Sequence, residues 1–447
     1  MKKLTITLIF FSLNAFASDH ITLLIKEGLR NSFDVRSQKL NFEKNLNENS
    51  NSYAELLPTF TWSRGRTYSK SESYGDNGIA NTDSRSDSMS VSANWTIWNN
   101  YSNIRNIQLA DLSLDNSKLA NKIAVQEYIL NLLDSYLNYQ LLLNDRGIQL
   151  SNVEQSQWNY DEAKAQATNG TKTKMDLVDS EIQLLNAKRS LVELKNQIVL
   201  AERRLNFVLN TKKIHKFEKI DMFKFMPYFE NIFHQRFGSI VSNWKKRYRK
   251  ENLAMLQAKN SLESNLTSLK QTKLNYWPQF SLSAAHEIDM SGKVNPETQE
   301  NQRGNLSNSS ISLNLTWQFW DWWATPRNVD NAKKDFQISR INFKQTKFQI
   351  KNEIQNIIDQ YQMIKQSLKI SRLTLKKASK QVEYSREMYR LGRTTLLRRQ
   401  AAISNYISAR NSLARRIKNE VMLKARLLAA MGETLIPEGV SLKWMNP

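Results

Sequence analysis

The stretch Ser310-Ile-Ser-Leu-Asn-Leu-Thr-Trp-Gln-Phe-Trp320 decides the fold. Successive side chains of a strand point to opposite faces. Ile311, Leu313, Leu315, Trp317 and Phe319 therefore share one face, and Ser310, Ser312, Asn314, Thr316 and Gln318 the other. One face is apolar and ends in aromatics; the other is small and polar. Met89 to Trp98 repeats the design, with Met89, Val91, Ala93, Trp95 and Ile97 alternating with Ser90, Ser92, Asn94 and Thr96. Most of the remaining chain reads as long polar helix and offers no sheet for such a face to pack against. Apolar residues outside, water-compatible residues inside and an aromatic end make the pattern of a transmembrane β-strand. The expectation is a mainly α chain with a membrane β-barrel part. Val91, Trp95, Ile97, Ile311, Leu313, Leu315, Trp317 and Phe319 are its lipid-facing residues.

Outward from these strands the chain reads twice. Residues 19–57 predict one helix, with Leu23, Leu24, Leu29 and Phe33 on its apolar side, stopped at Pro58 because proline cannot donate a helical hydrogen bond. Strands follow at about 59–68 and 89–98, around a Ser-, Asp-, Asn- and Gly-rich loop at 69–87. A helical hairpin spans 100–210; its first helix, straight, would be roughly 100 Å long at 1.5 Å per residue. Asn169-Gly170 breaks it. Leu184, Ala187, Leu191, Leu194, Ile198, Ala201, Leu205 and Val208 then keep the 3-4 spacing of a coiled-coil seam. After a connector at 211–226 the order returns: helix 228–276, Pro278, strand 279–288, polar loop 289–308, strand 310–320, and a helical hairpin at 327–432 broken at Leu391-Gly392. Gly170 and Gly392, Trp95 and Trp317, Trp98 and Trp320, and Ala110 and Ala332 are each 222 residues apart. A fixed offset over whole motifs means an internal duplication. The first repeat spans 18–210 and the second 227–432, with a tail at 433–447.

Composition narrows the function. The 447 residues hold only 12 glycines and 7 prolines, which suits long uninterrupted helices. No cysteine is present, which removes disulfides, thiol catalysis and a lipid anchor on cysteine. Lys2-Lys3, the apolar run Leu4–Leu13 and Ala15-Phe16-Ala17 form a signal-peptide pattern over 1–17. No stretch reaches the roughly 18 consecutive apolar residues of a membrane-spanning helix. The net charge is +22, and +19 of it lies from Pro227 onward, where 36 Lys and Arg face 17 Asp and Glu. His20, His215, His234 and His286 are scattered without metal-ligand spacing, and no phosphate-binding glycine loop or nucleophile elbow occurs. The residues thus predict no enzyme, cofactor or metal, and any energy must come from a partner. Trp320, Trp322 and Trp323 read as an interfacial aromatic girdle rather than a ligand cage.

The duplicated order of helix, proline, strand, loop, strand, long helix, glycine turn and long helix resembles the TolC-type outer-membrane efflux proteins (outer membrane factors). Leu56-Leu57-Pro58-Thr59-Phe60 and Tyr276-Trp277-Pro278-Gln279-Phe280 are similar to the segments that open that family's barrel hairpins. Tyr389-Arg-Leu-Gly392-Arg-Thr-Thr395 resembles its helix-tip motif, and Leu427–Gly432 its second-half ending, with Leu205–Asn210 as counterpart. The resemblance implies a homotrimer in which each chain gives four strands to a twelve-stranded barrel and its helices to a periplasmic tunnel. It implies a passive exit duct of a tripartite efflux or type I secretion system in a Gram-negative outer membrane. It also implies contact with outer-membrane lipid, a periplasmic membrane-fusion adaptor and an inner-membrane pump of RND or ABC type, with no nucleic acid partner. Four strands cannot close a barrel alone, which agrees with the need for assembly.

In that family the helix tips close the duct at rest. The tip residues expected here are Gly170, Asp176, Asp179, Tyr389, Gly392, Arg398 and Arg399. Tyr389 matches the gate tyrosine, whereas two positions usually acidic are Arg398 and Ala401. Arg398 or Arg399 either pairs with Asp176 or Asp179 across the tip or is simply solvated. Without an acidic ring, cation preference at the mouth should be weak or inverted. The basic last hairpin reads either as a solvated helix surface, as docking for an acidic adaptor, or as a path for anionic cargo. The competing class is a soluble basic coiled-coil envelope scaffold or nucleic-acid-binding protein, supported by charge and helix content and opposed by the signal peptide and the paired strands.

Overall fold

The computed structural model describes residues 21–75, 78–170, 173–211, 217, 244–245, 247–290, 292–294, 301–303, 306–433 and 435–436. The expected leader at 1–17, most of the connector at 211–226, the first part of the helix expected at 228–276 and most of the tail at 433–447 lie outside them. The chain divides into two compact units: a helical unit of residues 1–41, 117–258 and 344–447, and a sheet-bearing unit of residues 42–116 and 259–343.

The helices recur at matching positions in the two halves. Helix α2 (Phe33–Ala54) recurs as α5 (Leu253–Leu274), each 22 residues long. Helix α3 (Ser102–Thr168) recurs as α6 (Ala324–Arg390), each of 67 residues. Helix α4 (Lys174–Leu209) recurs as α7 (Leu396–Ala430). The offset is 220 residues before the strands, as between Pro58 and Pro278, and 222 after them, so the second strand segment carries two extra residues. The single helix expected over 19–57 is two: α1 (21–31) and α2, broken at Ser32. The Ser32 hydroxyl accepts from the Val35 amide at 3.4 Å. At the matching break Asn252 accepts from the Met255 amide at 2.8 Å. A side chain that satisfies a free first-turn donor starts a new helix and lets the chain change direction.

In the sheet-bearing unit, β1 (Thr59–Gly75), β2 (Gly78–Trp98), β3 (Gln279–Asp289) and β6 (Leu306–Thr316) form an antiparallel sheet in the order β1-β2-β3-β6. Short strands β4 (Gly292–Val294) and β5 (Asn301–Arg303) pair with each other. The loop expected at 69–87 is mostly strand: β1 and β2 stay paired up to Gly75 opposite Gly78. Its polar composition is that of strand wet on both sides, where alternation is not required. The loop at 289–308 likewise contains β4 and β5 and the start of β6. The strand expected at 310–320 runs instead from 306 to 316, so Trp317 and Phe319 lie beyond its end. A bulge between Thr96 and Trp98 shifts the register where β2 leaves the sheet. Among the described residues no helix is long and apolar enough to cross a membrane.

The helical unit holds the core. Val125, Leu137, Leu205, Leu209, Ile354, Leu427 and Met431 are fully enclosed, and Leu205/Leu427 and Leu209/Met431 are duplication partners. The α4 seam is buried at Leu184, Ala187, Ile198, Ala201 and Leu205, as its spacing predicts. Gly432, at φ +75°, seats the end of α7 on the chain: a Cβ there would lie 2.0 Å from the Glu251 carbonyl oxygen. Lys424 and Glu420 form an ion pair at 3.0 Å with both side chains buried.

Candidate functional site

Two places carry chemistry, one in each unit. In the sheet-bearing unit the register lines up Phe60 and Trp62 on β1, Val91, Ala93 and Trp95 on β2, Phe280, Leu282 and Ala284 on β3, and Ile311, Leu313 and Leu315 on β6. These residues form one continuous apolar face across four strands. It is not packed on anything within the chain: Phe60 is 76% and Ile311 80% exposed. The opposite face is polar, with Ser63 bonded to Ser90 and Ser283 to Ser312, each at 2.7 Å. A patch of this size left bare marks contact with lipid or another chain.

Where the strands meet the helices, the duplication extends to single hydrogen bonds. The Trp95 indole donates to the Leu56 carbonyl at 2.9 Å, and the Trp317 indole to the Tyr276 carbonyl at 3.1 Å. Asn100 and Tyr101 take positive φ, and so do Trp322 and Trp323, 222 residues on. Asn99 then caps α3 through the Asn103 amide, and Asp321 caps α6 through the Thr325 amide. Bonds from Thr325 hold the Asp321 carboxyl below its usual range. Trp320, Trp322 and Trp323 pack edge to face at the start of α6, in this turn rather than around a cavity.

At the other ends of the long helices lie the two turns. Gly170 (φ +73°) and Gly392 (φ +67°) have open space around them, so it is their left-handed backbone that needs glycine. Arg393 N–H reaches back to the Met388 carbonyl at 2.8 Å and closes the end of α6. Thr173 and Asp176 form a capping box that starts α4, and Thr395 caps α7 through the Arg398 amide.

Asp176 accepts from the Thr173 hydroxyl at its own helix start, and Asp179 and Arg398 are exposed. Arg399 instead lies between two rings, its guanidinium 5.2 Å from the Trp158 centroid and 5.1 Å from that of Tyr389. The rings meet edge to face at 6.2 Å. The Tyr389 hydroxyl donates to Glu162 Oε1 at 2.6 Å, and Gln166 donates to the same oxygen at 3.1 Å. Burial, then the bond to Glu162, pushes the Tyr389 phenol up to about 12, so it stays a neutral donor. Gln400 on α7 donates to Gln183 on α4 at 3.1 Å. One cluster thus ties the ends of α3, α6 and α7. Of its members the sequence reading had Tyr389 and Arg399. It missed Trp158 and Glu162, whose one local signal is an aromatic and a carboxylate four residues apart on one helix side.

Among the described residues no group of His, Cys, Asp or Glu could hold a metal ion. The chain matches the family model of the outer membrane efflux protein over residues 24–211 and 244–433. No curated protein matches it by sequence. Its fold is similar to the Campylobacter jejuni CmeC outer membrane channel (14% identity, 95% of this chain and 89% of that one, TM-score 0.75). It is also similar to the outer membrane protein VceC from Vibrio cholerae (13%, 93% and 96%, TM-score 0.74) and to CusC (14%, 93% and 92%, TM-score 0.73). With its bare apolar sheet, its duplicated strand-to-helix joints and a family match over both halves, the chain belongs to the outer membrane efflux protein family, an efflux channel of the Gram-negative outer membrane that extends into the periplasm.

Proposed function

We propose that three copies of the chain close one twelve-stranded barrel and one helical duct, through which cargo from an inner-membrane pump and a periplasmic adaptor leaves passively. The observation that carries this reading is the four-stranded sheet with an exposed apolar face and two edges, β1 and β6, that among the described residues pair with no further strand. In hydrocarbon each unpaired backbone group costs several kcal/mol, so open edges do not persist there. Twelve is an even strand number above the minimum of about eight for a closed membrane barrel.

The duplication supports the same assembly in the helical unit. Within the chain α3 meets α7: Lys418 pairs with Asp134 at 3.1 Å and Arg399 covers Trp158. The repeat equivalent of that contact is α6 against α4, and in the proposed trimer it forms between copies. Both helices carry exposed apolar stripes for it: Met363, Ile370 and Tyr384 on α6, and Val178, Ile182 and Leu185 on α4. A neighbouring copy supplies the missing partner.

The adaptor has a matching surface in a basic stripe on α6. Lys344, Lys351, Lys365, Arg372 and Arg386 recur at multiples of seven and are exposed. The first-repeat counterparts of Lys351, Lys365 and Arg372 are Ile129, Leu143 and Leu150, so the duct fold itself does not require this charge. An adaptor helix with carboxylates at heptad spacing fits it, and its binding should weaken steeply with salt. The tip cluster around Tyr389 holds the duct closed at rest.

Purification in mild detergent tests the assembly. A heat-modifiable trimer that conducts in planar bilayers is expected. A monomer that stays dispersed in buffer without detergent would end the proposal.

A further inference from the structure

The apolar face of the sheet ends, on its way from the helices, at a charged cluster. Arg64 and Arg66 lie on the same face of β1 as Phe60 and Trp62. Both reach across to Asp87 on β2. Arg66 Nη2 is 2.7 Å and Arg64 Nε 3.4 Å from its carboxylate oxygens. Asp87 is mostly covered, with 16% of its side chain exposed, while the arginines are 54% and 57% exposed. Two guanidiniums share one carboxylate, leaving one positive charge and several N–H donors turned outward. Lys70 continues the same face and is exposed.

The height of this cluster is set by the strand. From Ile97 to Asp87 is ten residues, about 33 Å of strand at ~3.3 Å per residue. Tilted by about 40°, that spans roughly 25 Å, the height of the apolar band on an outer-membrane barrel. The cluster therefore falls where hydrocarbon gives way to headgroups, on the side away from the helices.

The second hairpin supplies an internal control. Arg66 and Asp87 are a register pair, and their repeat equivalents are His286 and Ser309, also a register pair. There the cross-strand contact is His286 Nδ1 to Ser309 Oγ at 2.8 Å. The equivalent of Arg64 is Ala284. Along the apolar face each hairpin has at this equivalent position its first pair with both members polar, so that feature belongs to the fold. The excess of guanidinium belongs to the first hairpin alone, and its role is not to shape the sheet.

We propose that Arg64 and Arg66, held in place by Asp87, bind the phosphate groups of a phosphorylated glycolipid in the outer leaflet. Guanidinium forks match phosphate oxygens in pairs, which lysine does not do. The carboxylate fixes both forks before the lipid arrives and so lowers the ordering cost of binding. The site rests on the reading of this sheet as a barrel wall with its hairpin tips outward. It needs only one chain, so it is testable apart from trimer formation.

The test is native mass spectrometry of the purified full-length protein in detergent, titrated with diphosphorylated lipid A, phosphatidylethanolamine or inorganic phosphate. The same spectra read oligomeric state. Wild type should retain about one diphosphorylated lipid A per chain, and Arg64→Gln/Arg66→Gln at least tenfold less. Arg66→Lys should fall between them, because a lysine keeps charge and loses the fork. His286→Ala, in the second hairpin, should bind as wild type does. Equal retention by wild type and the double glutamine variant overturns the site. So does equal occupancy by phosphatidylethanolamine, or complete competition by inorganic phosphate at millimolar concentration. A monomer that still shows the arginine-dependent retention would refute the trimer and leave the site standing.

Discussion

Tyr389→Phe isolates one bond of the tip cluster. The ring remains, so the edge-to-face contact with Trp158 and the cover over Arg399 remain. What goes is the phenol hydrogen bond to the Glu162 carboxylate, 2.6 Å long. The phenol, pushed up to about 12, is a donor throughout the physiological range. Bonds to charged groups contribute about 1.5–3 kcal/mol, and this half-buried one belongs at the low end. About 1.4 kcal/mol is tenfold in an equilibrium. Each chain should thus lose roughly tenfold of its preference for the closed tip. If three tips open together, the ratio of open to closed duct rises on the order of a thousandfold. Single-channel recording in planar bilayers reads this as longer open dwells and a higher mean conductance. Trp158→Leu removes the other side of the clamp, and the double variant measures the coupling. Wild-type dwell times and conductance in Tyr389→Phe, in channels that otherwise gate, would refute the clamp.

The two turn and cap glycines should behave differently under the same change. Gly392→Ala meets open space and carries a backbone cost of about 1–2 kcal/mol, whereas Gly432→Ala also drives a Cβ into the Glu251 carbonyl and should abolish recovery of folded protein; equal yields from the two variants would contradict the packing at α7. Burial raises the Asp145 carboxyl above its unfolded value, against a weaker opposing effect of Arg415. Its ionised form therefore destabilises the fold, fully above the folded pKa and not at all below the unfolded one. Asp145→Asn should raise the thermal transition at pH 8 and leave it unchanged near pH 3, and the same shift at both pH values would count against this account. Arg398 is exposed at the tip; Arg398→Asp should shift the reversal potential in a salt gradient toward cation preference, and equal preference in both proteins removes Arg398 from the mouth.

The strands could be read because their two faces differ, apolar on one and polar on the other, and the alternation records it. Once both faces are wet, alternation stops carrying information, and 69–87 reads as loop although it is largely strand. The pairing there is a register between strands, such as Ser69 opposite Ser84 and Ser71 opposite Thr82, which no local pattern encodes. Trp317 was read as a continuation of β6 because it keeps the parity. The strand ends one residue earlier, where the Trp317 indole turns to the Tyr276 carbonyl and Asp321 prepares to cap α6. Ser32 does not announce the break, because a serine inside a helical pattern is compatible with either continuation or a cap. At the tip Tyr389 was legible through its motif, but its partner Glu162 lies 227 residues away, and only folding brings the two together.

A chain that contains its own fold twice separates what the wall requires from what it does not. The Trp95 and Trp317 bonds, the positive-φ pairs after them and the Asn99 and Asp321 caps appear in both halves, since a strand must pass into a helix at each joint. Glu162 and its counterpart Tyr384 share a position on their helices, but only Glu162 meets Tyr389. Arg66 with Asp87 and His286 with Ser309 are equivalent register pairs of the two hairpins, but only the first pair carries charge. In a trimer the kept features would therefore recur six times around the axis and the edited ones three times. A gate formed from edited residues has three equivalent latches rather than six. In the proposed trimer that threefold count would make the loss of one phenol per chain large enough to read in a single channel.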